Sequence, residues 1–102
     1  MAGLTKPQMV KGISLLDAFL KFEILKINIV GQSIVVNSGL YATQALSSDK
    51  SNCLQNLSAS VGGAGAVSTF LAMIKSDSLA KAVATLVKVA LPDWSDATEV
   101  GT

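Results

Sequence analysis

The sequence predicts an all-α fold, a small bundle of about four helices with an amphipathic helix at each end. Three observations predict it. Met9, Ile13, Leu16 and Leu20 recur at helical spacing behind Thr5-Lys6-Pro7-Gln8, which has the pattern of a capping box. A second stripe, Leu79, Val83, Leu86 and Ala90, begins after Ser76-Asp77-Ser78 and stops before Pro92. Between the two, no segment offers a convincing third strand to support a sheet.

The first helix is expected over residues 6–22. Pro7 falls in the first turn, where a missing N–H costs nothing. Leu4 and Met9 are placed to close the helix entry as a hydrophobic staple, and Asp17 precedes Lys21 by four residues. Residues 22–37 read two ways. Ile24, Ile27, Ile29, Val30, Ile34, Val35 and Val36 are β-branched, and Gly31-Gln32-Ser33 suits a turn, so the alternative fold is α+β with a β-hairpin at 22–36. A lone hairpin is barely stable in water, and continued helix is the expectation.

Asn37-Ser38-Gly39 breaks the chain before a short helix over Leu40–Leu46. The run from Ser47 to Asn52 is the clearest turn. Cys53, Leu54, Leu57 and Val61 follow at roughly helical spacing, and the small residues from Gly62 to Ala66 lead into Val67–Ile74. Ser76 to Ser78 caps the last helix, with Lys88 in its final turn. Residues 93–102 read as a polar, acidic tail, on which Trp94 is expected to pack back over the last helix. The chain is a single domain, 1–102.

Composition bounds function more firmly than any motif. There is no histidine, no arginine and one cysteine, Cys53. The usual acid–base side chain at neutral pH is absent, as is the guanidinium fork that grips phosphates and carboxylates. A net charge of +1 gives no general field for nucleic acid. Charged residues are 15% of the chain, against about 25% in ordinary domains. The surplus apolar surface is expected to meet a partner chain or a lipid. The lysines of residues 1–26 and 75–88 and the acids of the tail are expected to be solvated helix faces and a solubilising tail. The alternative is that they pair within one molecule or between neighbours.

Cys53 cannot form an internal disulfide and has no imidazole to activate it, so a small core role is expected. Residues 1–11 lack the charged start and apolar run of a secretory signal, and a cytoplasmic location is the default expectation. Ser47-Ser48-Asp49-Lys50 and Ser78-Leu79-Ala80-Lys81 both spell S-x-x-K, but the companion motifs of serine–lysine enzymes are missing. Gly62, Gly63 and Gly65 match neither phosphate-binding glycine fingerprint. Gly62 and Ala66 are four apart, as are Gly65 and Thr69, which suits close helix packing.

Gly62, Gly65, Ala66, Thr69 and Phe70 are therefore the candidate self-association residues. No catalytic, cofactor-binding or metal-binding residue is expected, and no cofactor. The function expected is a non-enzymatic structural or interaction protein that self-associates through apolar helix faces. A shell, filament or phage-structural subunit would fit, as would a small protein that masks a partner. The alternative is a membrane-active protein, holin-like or pore-forming. Residues 27–48 and 51–74 carry no charge and flank a polar turn, as a membrane-inserting helical hairpin would. Its apolar part, Val61–Ile74, is short of the ~20 residues a span requires. An enzyme is the least expected class.

Overall fold

The computed structural model describes residues 2–102, Ala64 by its backbone, and its architecture is sheet-based. Five strands form one antiparallel sheet: β1 (Gly3–Val10), β2 (Ile13–Asn28), β3 (Ser33–Tyr41), β4 (Gln55–Gly62) and β5 (Thr98–Val100). Their order across the sheet is β4-β3-β2-β1-β5. Two helices, α1 (Ala64–Ser76) and α2 (Leu79–Ala90), intervene between β4 and β5 and cover one face. The expected all-α bundle is overturned.

The expected helix over 6–22 is a hairpin. Lys11 and Gly12 join its strands with φ of 51° and 80°. Two positive values in succession match the right-handed twist of the flanking strands, which is why such turns close two-residue hairpins. The four-residue step from Met9 to Ile13 crosses that turn. Met9, Ile13 and Leu16, read as a buried stripe, are 69%, 64% and 79% exposed. The side chains that do enter the core, Leu4, Val10, Ala18 and Leu20, alternate with a period of two, interrupted by an irregularity. Lys6 faces Ala18 but Gln8 faces Leu15, so β2 carries one extra residue opposite Pro7. Proline belongs at such a bulge because it cannot donate to the ladder.

Residues 22–37 are strand as well. The hairpin weighed at 22–36 lies inside the longer β2–β3 ladder, where Leu25 faces Val36 and Ile27 faces Ile34. It is not alone. β1 flanks it on one side and β4 on the other, which removes the marginal stability of an isolated pair. β4 escaped recognition because Leu57 and Val61 are four apart, a spacing that fits both periods. The intervening Ala59, 1% exposed, completes a strand pattern.

No helix occupies Leu40–Leu46, since Leu40 and Tyr41 end β3. Short 3₁₀ turns at Ala45–Ser48 and Lys50–Asn52 occupy the polar stretch instead, and Asp49 accepts from the Ser51 N–H at 3.0 Å. The two later helices lie near their expected positions. Gly63 turns the chain from β4 into α1 with φ of 111°, a conformation that favours glycine. Ser78 caps α2 by accepting from the Lys81 N–H at 3.1 Å, and the helix ends one residue before Leu91-Pro92.

The main core lies between the sheet and the helices. Leu4, Leu20, Ile34 and Val36 from the sheet join Phe70, Val83 and Val87 from the helices. Each such side chain contributes ~1.5–3 kcal/mol on burial. Residues 93–102 close the layer, with Trp94 and Ala97 buried and β5 paired to β1 through Gly3–Thr5. Segment 27–74, weighed as a membrane-inserting helical hairpin, contains the end of β2, then β3, β4 and most of α1. Among the described residues no helix is long and apolar enough to cross a membrane.

Candidate functional site

α1 is the least conventional element. Lys75 is its one charged residue, and its exposed positions are otherwise small or polar, Gly65, Ser68, Thr69, Ala72 and Ser76, apart from Leu71. Among its described side chains only Val67 and Phe70 are buried, and Leu71 is 51% exposed. The two anchors enter the core, Met73 and Ile74 pack partly against it, and the other described side chains of the helix are exposed or half-buried.

A shallow groove runs between the helices. Gly65, Ala66, Thr69 and Phe70 form its α1 side, and Leu86 and Val89 its α2 side. Val61 of β4 joins them. Four of the five sequence-predicted positions thus come together. Gly62 does not line the groove; it is the exposed last residue of β4. Gly65 is not small for want of room, because a Cβ built there meets no atom within 4 Å. Its lack of a side chain opens the groove rather than permitting a close contact inside the chain. Val61, Leu86 and Val89 were not singled out from sequence. Val61 reads as helical from its spacing, Leu86 belongs to the stripe of the last helix, and Val89 lies outside that stripe.

The charges that could have surrounded this surface are engaged elsewhere. Lys81 and Lys88 reach Glu99 at 2.7 and 3.0 Å, one to each carboxylate oxygen. Those two hydrogen bonds, Lys81 first, hold the Glu99 carboxyl below the usual carboxylate range. Lys6 reaches Asp96 at 2.9 Å and also donates to the Asp93 carbonyl. Lys6, Lys81 and Lys88 therefore pair with acids of residues 93–102 within one molecule, and no charged side chain lines the groove.

A second cluster lies on the opposite face of the sheet. Glu23 is the extra residue of a bulge, since Phe22 faces Ser38 and Ile24 faces Asn37. Its carboxylate accepts from Lys50 Nζ at 2.8 Å and from the Tyr41 hydroxyl at 3.5 Å. Lys50 also reaches Asn56 Oδ1 at 3.1 Å and the Cys53 thiol at 3.8 Å. The Glu23 hydrogen bond pushes the Lys50 pKa up. Burial first, and then the negative charge of Glu23, raise that of Tyr41.

The set ties the segment after β3 to the sheet: Lys50 bridges Glu23 on β2 and Asn56 on β4, beside Cys53 and the fully buried Tyr41. Lys21 adds a bond to the Ser47 carbonyl at 2.9 Å. Among the described residues no group of three or more histidine, cysteine, aspartate or glutamate side chains could hold a metal ion. The chain matches no family model, no curated protein and no solved structure.

Proposed function

We propose that this protein is a non-enzymatic structural or interaction subunit that self-associates, using the α1–α2 groove as part of its contact surface. The observation that carries the proposal is the α1–α2 groove, lined by small and apolar side chains with two threonines and no charge, and left open among the described residues. Leu71, Leu79 and Val89 are exposed on the two helices, as Met9, Ile13, Leu16, Ile29 and Val30 are on the two hairpins, and Val89 lines the groove itself. Apolar surface gathered in a groove marks an interaction site. The neutral groove suits a second neutral surface better than a charged ligand.

Light scattering behind size-exclusion chromatography, on untagged protein in detergent-free buffer, tests the proposal. A defined oligomer is expected for the unmodified chain. Gly65→Leu, whose Cβ would meet no atom within 4 Å, places a bulky side chain at the groove and should lower the oligomer mass. Ser95→Leu, on an exposed turn away from the groove, should leave it unchanged. A monomer at all concentrations overturns self-association. Recovery only in detergent, with co-flotation on lipid vesicles, replaces it by the membrane-active reading.

A further inference from the structure

The two edges of the sheet are unequally protected. On one side β5 is three residues long and covers β1 only at Gly3–Thr5. From Lys6 to Val10 β1 becomes the edge, and there Pro7 withdraws an N–H and the register shifts. Proline, bulges and very short strands all blunt an edge against pairing with another chain. On the other side β4 runs for eight residues, Gln-Asn-Leu-Ser-Ala-Ser-Val-Gly, with no proline, no charge and no register shift. It has no such protection.

The backbone hydrogen bonds show which residues of β4 are open. The Gly63 N–H donates to the Gln32 carbonyl at 2.9 Å, directly beyond the pairing of Gly62 with Ser33. Bonded and non-bonded residues alternate in an antiparallel ladder. Val61, Ala59, Leu57 and Gln55 therefore turn their N–H and C=O groups towards β3. Gly62, Ser60, Ser58 and Asn56 turn theirs outward, and all four residues are exposed. The occupant such an edge accepts is an extended strand.

We infer that this strand is β4 of a second copy, paired antiparallel about a two-fold axis at Ala59. The inference rests on the self-association reading and specifies its contact. In this register Ser58 exchanges backbone bonds with Ser60 of the second copy, and Asn56 with Gly62. All four outward residues are used. A shift of one residue would set outward groups against groups already committed to β3, so only alternate registers are open. Ala59 then faces itself, and Leu57 faces Val61 of the second copy on the helix-bearing side. The apolar layer beneath the helices continues across the axis. On the other side the pairs are small and uncharged, Ser58 with Ser60, so no like charges meet. Val61 also lines the α1–α2 groove, which joins the edge and the groove in one surface. The product is a ten-stranded sheet, two copies of the five-stranded one, with all four helices on one face.

Backbone amide exchange of the intact chain, followed over a concentration series alongside light scattering, tests this. The N–H groups of Asn56, Ser58, Ser60 and Gly62 have no acceptor strand within the chain. Their exchange should slow by about tenfold or more as an even-numbered oligomer forms. Ser58→Pro removes an outward N–H while leaving the β3–β4 ladder complete. It should abolish both the mass increase and the protection, with an unchanged far-ultraviolet circular dichroism spectrum. If that variant does not fold, exchange in the unmodified chain decides alone. An oligomer whose four amides exchange fast overturns edge pairing and leaves self-association standing. A monomer throughout overturns both.

Discussion

Phe19 and Tyr41 face each other across the β2–β3 ladder, both fully buried, on the side of the sheet that the helices do not cover. The segment after β3 reaches this side, where Lys50 bonds to Glu23 beside the Tyr41 hydroxyl. Gly3 stands beside the pair, and a Cβ there would lie 2.6 Å from the Phe19 ring and 2.4 Å from the Leu20 carbonyl oxygen. A flexible ring can retreat, but backbone cannot do so without disturbing the ladder. Gly3→Ala should therefore cost about 1–3 kcal/mol in urea unfolding, as overpacked sites do. Adding Phe19→Leu should not restore the loss. Full rescue would mean that the ring alone sets the constraint.

Ser38 sits on the helix-bearing side of β3, 1% exposed, and its hydroxyl has no hydrogen-bond partner among the described residues. A buried hydroxyl left unpaired is destabilising relative to a methyl group. Ser38→Ala should raise stability by about 1 kcal/mol, measured as a higher urea midpoint at unchanged slope. A loss of stability would show that the hydroxyl is bonded in solution.

Glu99 fastens β5 to α2 through Lys81 and Lys88, with 17% of its side chain exposed. Its folded-state pKa lies below the ordinary 4.5. The stabilisation is therefore complete above the unfolded value and is lost as pH falls through the folded one. Glu99→Gln should cost about 1 kcal/mol near neutral pH, a modest figure because Lys81 is 45% exposed. The unfolding midpoints of the two proteins should converge once pH falls below the folded-state pKa. Parallel curves down to strongly acid pH would show that the two lysines do not depress it.

Lys11 holds φ of 51° in the β1–β2 turn, and Gly12 follows at 80°. Asparagine tolerates the left-handed region better than lysine and is favoured before glycine in this turn. Lys11→Asn should stabilise the fold by about 0.5 kcal/mol, read from thermal unfolding. Gly12→Val should destabilise it by about 1–2 kcal/mol. An indifferent Gly12→Val would contradict the turn geometry.

Much of the strand content was written in the residues but written ambiguously. Leu16 and Leu20, or Leu57 and Val61, are four apart, and four is a multiple of two as well as close to 3.6. The β-branched run from Ile24 to Val36 and the Lys11-Gly12 dipeptide were local signals for hairpins. The first is outweighed because a lone hairpin is barely stable, and the second is hidden inside the apparent helical stripe of residues 6–22. The bulges opposite Pro7 and at Glu23 hid the alternation that would have identified a third strand. Of the candidate residues, Gly65, Ala66, Thr69 and Phe70 share a groove because α1 is a helix, as its spacing implied. Gly62 stands apart because a strand, and not a helix, precedes Gly63.

By itself the sequence determined the last helix, its Ser78 cap and its stop before Pro92, because these depend on contacts within a few residues. It also determined the poverty of charge and the absence of imidazole and guanidinium groups, which are properties of composition. Only the tertiary structure decided that residues 3–41 are strands, since a strand is stabilised by neighbours distant in the chain. It likewise decided which carboxylate each lysine reaches, and which edge of the sheet is left open. Backbone hydrogen bonds in a helix close locally, whereas those of a sheet are completed by segments far away in sequence, and β4 stands at the edge of that sheet.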